Sequence, residues 1–182
     1  MARLKYLDKA DLAEKDQDLL ARNINLFRAL VHSPNAARAF SGLGGFIRHK
    51  SNADPRLREL AILQVGWLAK SPYEWSHHVK IGYDFGVTDD DIQGLIDDTA
   101  GKPTGLDETT KLILKMAREM TLEGGASDAT FAAVSAKMPT ELVLDLTLTI
   151  AFYNAVVRVL ATLQIDVEPE YQPYLEKYPL PT

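Results

Sequence analysis

The segment from Pro55 to Gly86, PRLRELAILQVGWLAKSPYEWSHHVKIGYDFG, constrains the fold more than any other part of the chain. Its first part, Leu57 to Ala69, is apolar nearly all the way round, with Leu60, Ile62, Leu63, Val65, Trp67 and Leu68 broken by Glu59, Gln64 and Gly66. A helix with no wet face belongs inside a core. Asp54 suits the N-cap and Pro55 the first helical position, where the missing N–H has no partner to lose. Ser71-Pro72-Tyr73-Glu74 repeats the signal, with a hydroxyl at the N-cap, proline at N1 and a carboxylate at N3 placed to reach back to the N-cap amide. A second helix is predicted from there to Gly86.

Two helices joined by a short turn lie antiparallel or cross steeply. At about 1.5 Å of rise per residue, Glu59 and His78 both stand within a few turns of the connection and can approach one another. Ser71, Glu74 and His78 fall at i, i+3 and i+7, on one stripe. Glu59, among apolar neighbours, is costly to bury unless paired or protonated. Arg58 of a neighbouring chain, or Arg158, would satisfy it as a structural ion pair. His77 and His78 point about 100° apart, so only His78 joins the Glu74 stripe, and His77 reads as a surface or packing residue. Ser71 and Glu74 have a structural role open to them as a capping box. That role is compatible with chemistry, because a helix N-terminus also favours anions. Two carboxylates and an imidazole converging in a partly dry pocket suit general acid–base chemistry.

With 182 residues, 46% of them hydrophobic, the chain can bury one good core, and the expectation is a single domain over 1–182. A formal charge of −5 and a pI near 5.4 offer no basic face for nucleic acid. The longest apolar run, Ile150 to Leu163, is broken by Asn154 and Arg158, so no membrane span is expected. The N-terminal MARLKYLDKADLAEKD shows no apolar signal segment, and there is no cysteine for disulfides. The expected address is the cytoplasm.

Residues 1–8 read as a loose arm. Leu12, Leu19, Leu20 and Ile24 recur at helical intervals from Asp11, followed by Leu26, Phe27, Leu30 and Val31, with a break at Ser33-Pro34. The helix from Pro34 carries Ala37, Phe40 and Leu43; Gly42, Gly44 and Gly45 either allow close helix contact or end it. Arg48, His49, Lys50, Arg56 and Arg58 form a basic cluster, either a solvated surface or a pocket rim that attracts an anion. Thr88 with Asp89, Asp90, Asp91 and Ile92 reads as a capped helix start with Val87 stapling to Ile92. The acidic run lacks the ligand spacing of a calcium loop, so no metal site is expected. Asp107 to Leu122 is a helix stopped by Gly124-Gly125, and Ser127 caps a shorter one through Phe131, Val134 and Met138. The last long element runs from near Pro139 to Ile165. Its LVLDLTLTI alternates like a strand, but about twenty-five residues without a turn exceed any ordinary strand, so helix is predicted. Tyr153, Asn154 and Arg158 are polar groups in its apolar setting. The tail 167–182, with four prolines and three tyrosines, either frays or wraps a neighbouring subunit.

The spacing Glu59, Ser71, Glu74, His78 resembles the Glu, Cys, Cys, His signature of the alkylhydroperoxidase and carboxymuconolactone decarboxylase family, with Ser71 and Glu74 where peroxidase members carry cysteines. RELAILQVGWL, YEWSHH and GVTDDDI resemble its decarboxylase-like branch, and the helical pattern of residues 35–165 follows the family. The resemblance implies an all-α alkylhydroperoxidase-like fold around a central antiparallel helix pair, and a homo-oligomer (dimer, trimer or hexamer) with sites near subunit contacts. It further implies a cofactor-free decarboxylase-like lyase acting on a small anionic organic acid or lactone. In this reading His78 transfers the proton, Glu74 orients it and Glu59 is a second acid–base group. Ser71, Tyr73, Asn154 and Arg158 bind the substrate, with Arg158 or a basic rim residue holding a carboxylate. The competing reading is a member that binds a small molecule or simply assembles. Thiol peroxidase chemistry needs a sulfur that cycles through sulfenic acid and disulfide. A chain without cysteine has none. In a peroxide-consumption assay with added dithiol, no catalysed turnover is therefore expected.

Overall fold

Side chains at helix starts decide where this chain breaks. In the computed structural model, which describes residues 2–181, nine α-helices are found and no strand forms among the described residues. They are α1 Asn25–Leu30, α2 Pro34–His49, α3 Pro55–Leu68, α4 Pro72–Asp84, α5 Asp89–Thr99, α6 Glu108–Leu122, α7 Asp128–Ser135, α8 Thr140–Leu163 and α9 Gln172–Lys177. Asp54, Ser71, Thr88, Asp107 and Ser127 each accept a hydrogen bond from the backbone N–H three residues on. Four of these caps are the ones the sequence predicts; Asp107, read there as the first residue of its helix, is the fifth. At α5 the box is complete, since Asp91 Oδ2 also accepts from Thr88 N–H, and Val87 and Ile92 are buried in one apolar cluster.

The α3 helix is the hub, packed by α4, α6 and α8. Residues Arg58 to Gly66 are all buried, because two separate apolar clusters draw on opposite sides of the helix. Ala61, Ile62 and Val65 belong to one cluster, with the inner face of α8. Leu60 and Leu63 belong to the other, with Trp75, Ile92 and Leu95. Lys70 takes a left-handed backbone conformation (φ 48°) between α3 and α4, and Ser71 N–H bonds back to Gly66 C=O. The chain thus reverses within a few residues. At the crossing, a Cβ on Gly66 would stand 3.3 Å from the backbone nitrogen of Trp75. Glycine here sets how closely the two helices approach.

Several expectations are corrected. Of the leucines before Ile24, Leu19 and Leu20 sit in the 3-10 helix Glu14–Leu20 and Leu12 follows the 3-10 turn Lys9–Asp11, so no α-helix forms there. Arg38 takes the Lys15 carbonyl and the Asp16 and Asp18 carboxylates, groups turned toward α2 instead of along a helix. The described part of the arm is tied down, Arg3 N–H to Leu163 C=O and Leu7 N–H to Arg28 C=O; Met1 and Thr182 lie outside the described residues. The tail neither frays nor leaves its own chain. Trp75 Nε1 donates to Tyr178 C=O at 2.8 Å, and Lys177 pairs with Asp89 at 2.6 Å. An indole N–H buried without an acceptor would be costly, and the tail carbonyl supplies one. Gly42, Gly44 and Gly45 lie inside α2 and do not end it.

The strand-like alternation in LVLDLTLTI is helical, with leucines on both faces of α8. Leu146 is buried, while Leu144 is 55% exposed. The whole of α8 is longer than the apolar run read from sequence, and by length and hydropathy it could cross a bilayer. In this fold its inner face is occupied by α3 and α6. Replacing Gly66 by leucine should destabilise the protein by about 1–3 kcal/mol, read by urea denaturation, because the Trp75 backbone opposite cannot move aside as a side chain could.

Candidate active site

Glu59 is one turn into α3, where solvation is lost on every side. A lone carboxylate there would be protonated, yet this one is surrounded by cations. Arg58 Nε and Nη2 both donate to Oε1 at 3.1 Å, and His78 Nδ1 lies 2.6 Å from Oε2. The Arg58 guanidinium is itself covered by the Phe85 ring, 4.6 Å from its centroid. From α4, Glu74 approaches the other side of the same imidazole. Its Oε1 stands 2.9 Å from His78 Nε2, at an angle that leaves this buried oxygen without an aligned donor. Glu59, Glu74 and His78 are each less than 5% exposed.

Burial alone would push Glu59 up, but His78 and Arg58 together hold it below the usual carboxylate range. For His78 burial alone would lower the value, and the carboxylates of Glu74 and Glu59 raise it above that of an ordinary imidazole. With His78 protonated and both carboxylates ionised, the quartet with Arg58 sums to zero charge, the least costly state for a buried cluster. A protonated imidazole between two carboxylates can hold a proton and pass it on.

His78 and Glu74 line a partly open cavity of about 210 Å³. Phe27, Phe40, Phe152, Leu26 and Val156 form its apolar walls, and Arg22, Arg48 and His49 line it as well. Gly44 and Gly45 also line it. A Cβ on Gly45 would meet nothing within 4 Å and one on Gly44 only the Phe152 ring. Tyr153 lies edge-on to the His78 ring, centroids 4.9 Å apart. Burial, Glu74 and Glu59 push its hydroxyl well above the usual tyrosine range, so it remains a donor.

Of the seven residues predicted for the site, the structure brings Glu59, Glu74 and His78 together and places Tyr73 on the cavity wall. The other three are absent from that wall. Ser71 is buried at the N-terminus of α4, where its hydroxyl accepts from Glu74 N–H. Only this half of the capping box forms, because the Glu74 carboxylate turns to His78 and Ser71 N–H goes to Gly66. Arg158 is exposed and folds back on Asn154 O and Oδ1, while Asn154 Nδ2 donates to Thr121 Oγ1. Five residues past Tyr153 on α8, Arg158 lies about 140° round the helix from it and cannot face the same cavity. Glu59 consequently pairs with Arg58 of its own chain. The basic cluster divides three ways: Arg58 is buried, Arg56 pairs with Asp91, and Arg48 and His49 reach the cavity.

His77 is not a surface residue. It is buried between the Tyr73 and Tyr171 rings, centroids 4.1 and 3.5 Å away, and its Nε2 lies 2.8 Å from Glu168 Oε2. Glu168 also accepts from Tyr73 Oη at 3.1 Å and Asn25 N–H at 2.6 Å. Burial raises its carboxyl, and these donors overcome that and hold it low. Glu168 comes from the tail, where no local pattern marked it. The adjacent histidines were the available signal for His77.

The two shifts fix a pH window. Glu59 is depressed, so its contribution to stability is complete above its ordinary value of 4.5 and is lost as pH falls through the lower folded value. His78 is raised, so its contribution is complete below 6.5 and is lost as pH rises through the higher folded value. His77 shifts the other way, lowered by burial against the pull of Glu168. Comparing wild type with His78→Gln in urea denaturation between pH 4 and 9 separates the two. The difference in stability should shrink as pH rises above 6.5.

Residues 34–101 match the model of the carboxymuconolactone decarboxylase family. No curated protein sequence matches the chain significantly. The fold is similar to that of a peroxidase-related protein from Ralstonia eutropha with an alkylhydroperoxidase AhpD core, at TM-score 0.79 and 18% identity over 96% of this chain and 95% of that one. It is equally similar, at TM-score 0.79 and 16% identity over 97% and 99%, to the debrominase Bmp8 crystallised with 2,3,4-tribromopyrrole. A peroxidase-related protein from a Silicibacter species aligns at TM-score 0.71 and 17% identity over 93% and 92%. At such identities the likeness is one of fold. Residues 34–101, which carry the α3–α4 pair and the Glu59, Glu74 and His78 cluster, are thus similar to the carboxymuconolactone decarboxylase family, and the chain has the all-helical alkylhydroperoxidase-like fold.

Proposed function

We propose that the protein is a proton-transfer enzyme acting on a small anionic organic acid or lactone, with His78 as its acid. The observation that carries this reading is an imidazole fixed between two buried carboxylates at the wall of a ring-sized cavity. Glu59 and Arg58 lie on the far side of the ring and position it. Nε2 and Glu74 lie on the cavity side. In a decarboxylation the bond from the substrate carbon to its carboxylate breaks, and carbon dioxide leaves. The bonding pair stays on that carbon, delocalised into an adjacent lactone or carbonyl group, until a proton from His78 quenches it. The imidazole is then recharged from solvent through Glu74.

Of the two candidates for holding a carboxylate, Arg158 and the basic rim, the role goes to Arg48 of the rim. It lines the cavity from α2, where a guanidinium can hold a carboxylate in two-point fashion. Tyr73 and Tyr153 add hydroxyls to the wall, and the phenylalanines favour a flat, apolar body. The debrominase of similar fold, crystallised with a substituted pyrrole, supports a compact ring as the kind of molecule this architecture accommodates.

A thermal-shift screen of carboxylated lactones and short keto acids would find ligands, since a binder raises the melting temperature with concentration. Hits would then be assayed for carbon dioxide release. His78→Gln is expected to lower kcat by about 10²–10⁴-fold, the range for a lost general acid, while Arg48→Ala mainly raises KM. Ligands that bind without turnover, in wild type and both variants alike, would reduce the cavity to a binding site.

A further inference from the structure

The cavity wall holds a second imidazole that decarboxylation leaves idle. His77 lines the same cavity as His78, and the hydrogen bonds behind it settle where its proton sits. Glu168 Oε1 accepts from Asn25 N–H at 2.6 Å and from Tyr73 Oη at 3.1 Å. Tyr73 Oη in turn accepts from Leu26 N–H at 3.2 Å, so its own proton points at the carboxylate. A carboxylate supplied by two other donors stays ionised. The proton shared with His77 therefore rests on the imidazole, at Nε2, 2.8 Å from Glu168 Oε2. Nδ1 is left as the nitrogen with a free lone pair. It is not one of the fully enclosed polar atoms without a partner, which among the described residues are Gln64 Nε2 and Glu74 Oε1. Nδ1 thus meets open space, and the space that His77 borders is the cavity.

Its neighbour is in the opposite protonation state. His78, held between Glu59 and Glu74, carries a proton on each ring nitrogen. The ionisable groups facing His77 are Glu168 and Tyr171 from the tail and Tyr73, Glu74 and His78 from its own helix. Burial prevails over these carboxylates at His77 and lowers it, whereas at His78 the carboxylates prevail and raise it. Two groups driven apart in this way on one cavity divide into an acid and a base.

We propose that His77 Nδ1 is the base of a proton shift that His78 completes, so that the cavity isomerises small unsaturated lactones and enolises keto acids. This rests on the reading of His78 as an acid, and it does not require loss of carbon dioxide. His77 Nδ1 takes a proton from the carbon beside the carbonyl. That C–H bond breaks, and its electron pair spreads over the carbonyl and the adjoining double bond as a dienolate. A proton from His78 Nε2 then forms a new C–H bond at the γ carbon. The double bond moves one position, and nothing is oxidised, reduced or lost. The cation left on His77 is met by Glu168 and by the faces of Tyr73 and Tyr171, with centroids 4.1 and 3.5 Å away. Proton exchange with solvent returns both imidazoles to their first state.

Two probes test this on the full chain. In deuterium oxide, wild type should exchange the protons beside the ketone of levulinate, followed by proton NMR. It should also convert α-angelica lactone to its conjugated isomer, followed by ultraviolet absorption. His77→Gln should lower both rates about 10²–10⁴-fold, the range for a lost general base. Glu168→Gln should do the same by a different route. Its amide oxygen still accepts from Asn25 and Tyr73, but its NH2 donates to His77 Nε2 and moves the ring proton to Nδ1. Nitrogen-15 NMR of the imidazoles reads this without substrate. At pH 7 His77 should carry its proton on Nε2 in wild type and on Nδ1 in Glu168→Gln. A wild-type His77 protonated on Nδ1 overturns the proposal, as do wild-type rates no higher than buffer with both probes. Unchanged rates in His77→Gln overturn it too, since another group is then the base. Carbon dioxide release that depends on His78, with no exchange, removes this inference and leaves the decarboxylase reading standing. Exchange lost in His77→Gln, with no carbon dioxide released from any ligand, supports this inference and removes decarboxylation.

Discussion

Four ionisable side chains, Arg58, Glu59, Glu74 and His78, share one buried patch at the crossing of α3 and α4. Taking them out of water is costly, and each is tolerable only because the others are present. Removing one partner from such a cluster costs about 3–5 kcal/mol, since a charge is left uncompensated. Replacing the whole cluster by apolar side chains can be neutral or stabilising. Burial of these groups is consequently poor value for stability alone. Their retention on the two helices that the rest of the chain encloses is what favours a chemical role.

The packing around the cluster follows from this constraint. A helix that must bury Glu59 can have no solvent side, so α3 is enclosed by α4, α6 and α8 and shared between two apolar clusters. Gly66 brings the backbone of α4 close enough for His78 to reach Glu59, nineteen positions earlier in the chain. The glycines of α2 leave room on the other side for the cavity. Rigidity on the Glu59 side and open space on the Glu74 side give the imidazole one fixed edge and one available edge.

A second imidazole–carboxylate pair, His77 with Glu168, stands beside the first and differs from it electrostatically. His77 has a single carboxylate, two stacked aromatic rings and a lowered value. His78 has two carboxylates and a raised one. Adjacent in sequence, they diverge because about 100° of helix rotation sends one toward the tail and the other toward α3. The tail is thereby part of the architecture of the cavity wall. It brings the carboxylate that orients His77 and Tyr73, and the carbonyl that satisfies Trp75.

Local information was enough for a good deal of this. Hydroxyl or carboxylate N-caps, prolines at N1 and the absence of a wet face on Leu57 to Ala69 marked the start of α3, of α4 and of two later helices, α5 and α7, together with the buried position of α3. Those signals act within one turn of helix or one stretch of chain. The convergence of Glu59, Glu74 and His78 was legible because all three lie close to one short connection. Rotation about α8 decided Arg158, since the roughly 140° of helix between it and Tyr153 separates a cavity wall from bulk water. Contacts across 91 to 103 positions, such as Glu168 with His77 and Tyr178 with Trp75, were decided by tertiary structure alone. The tail has no strong pattern of its own, and its place is set by the unsatisfied donors it meets on arrival.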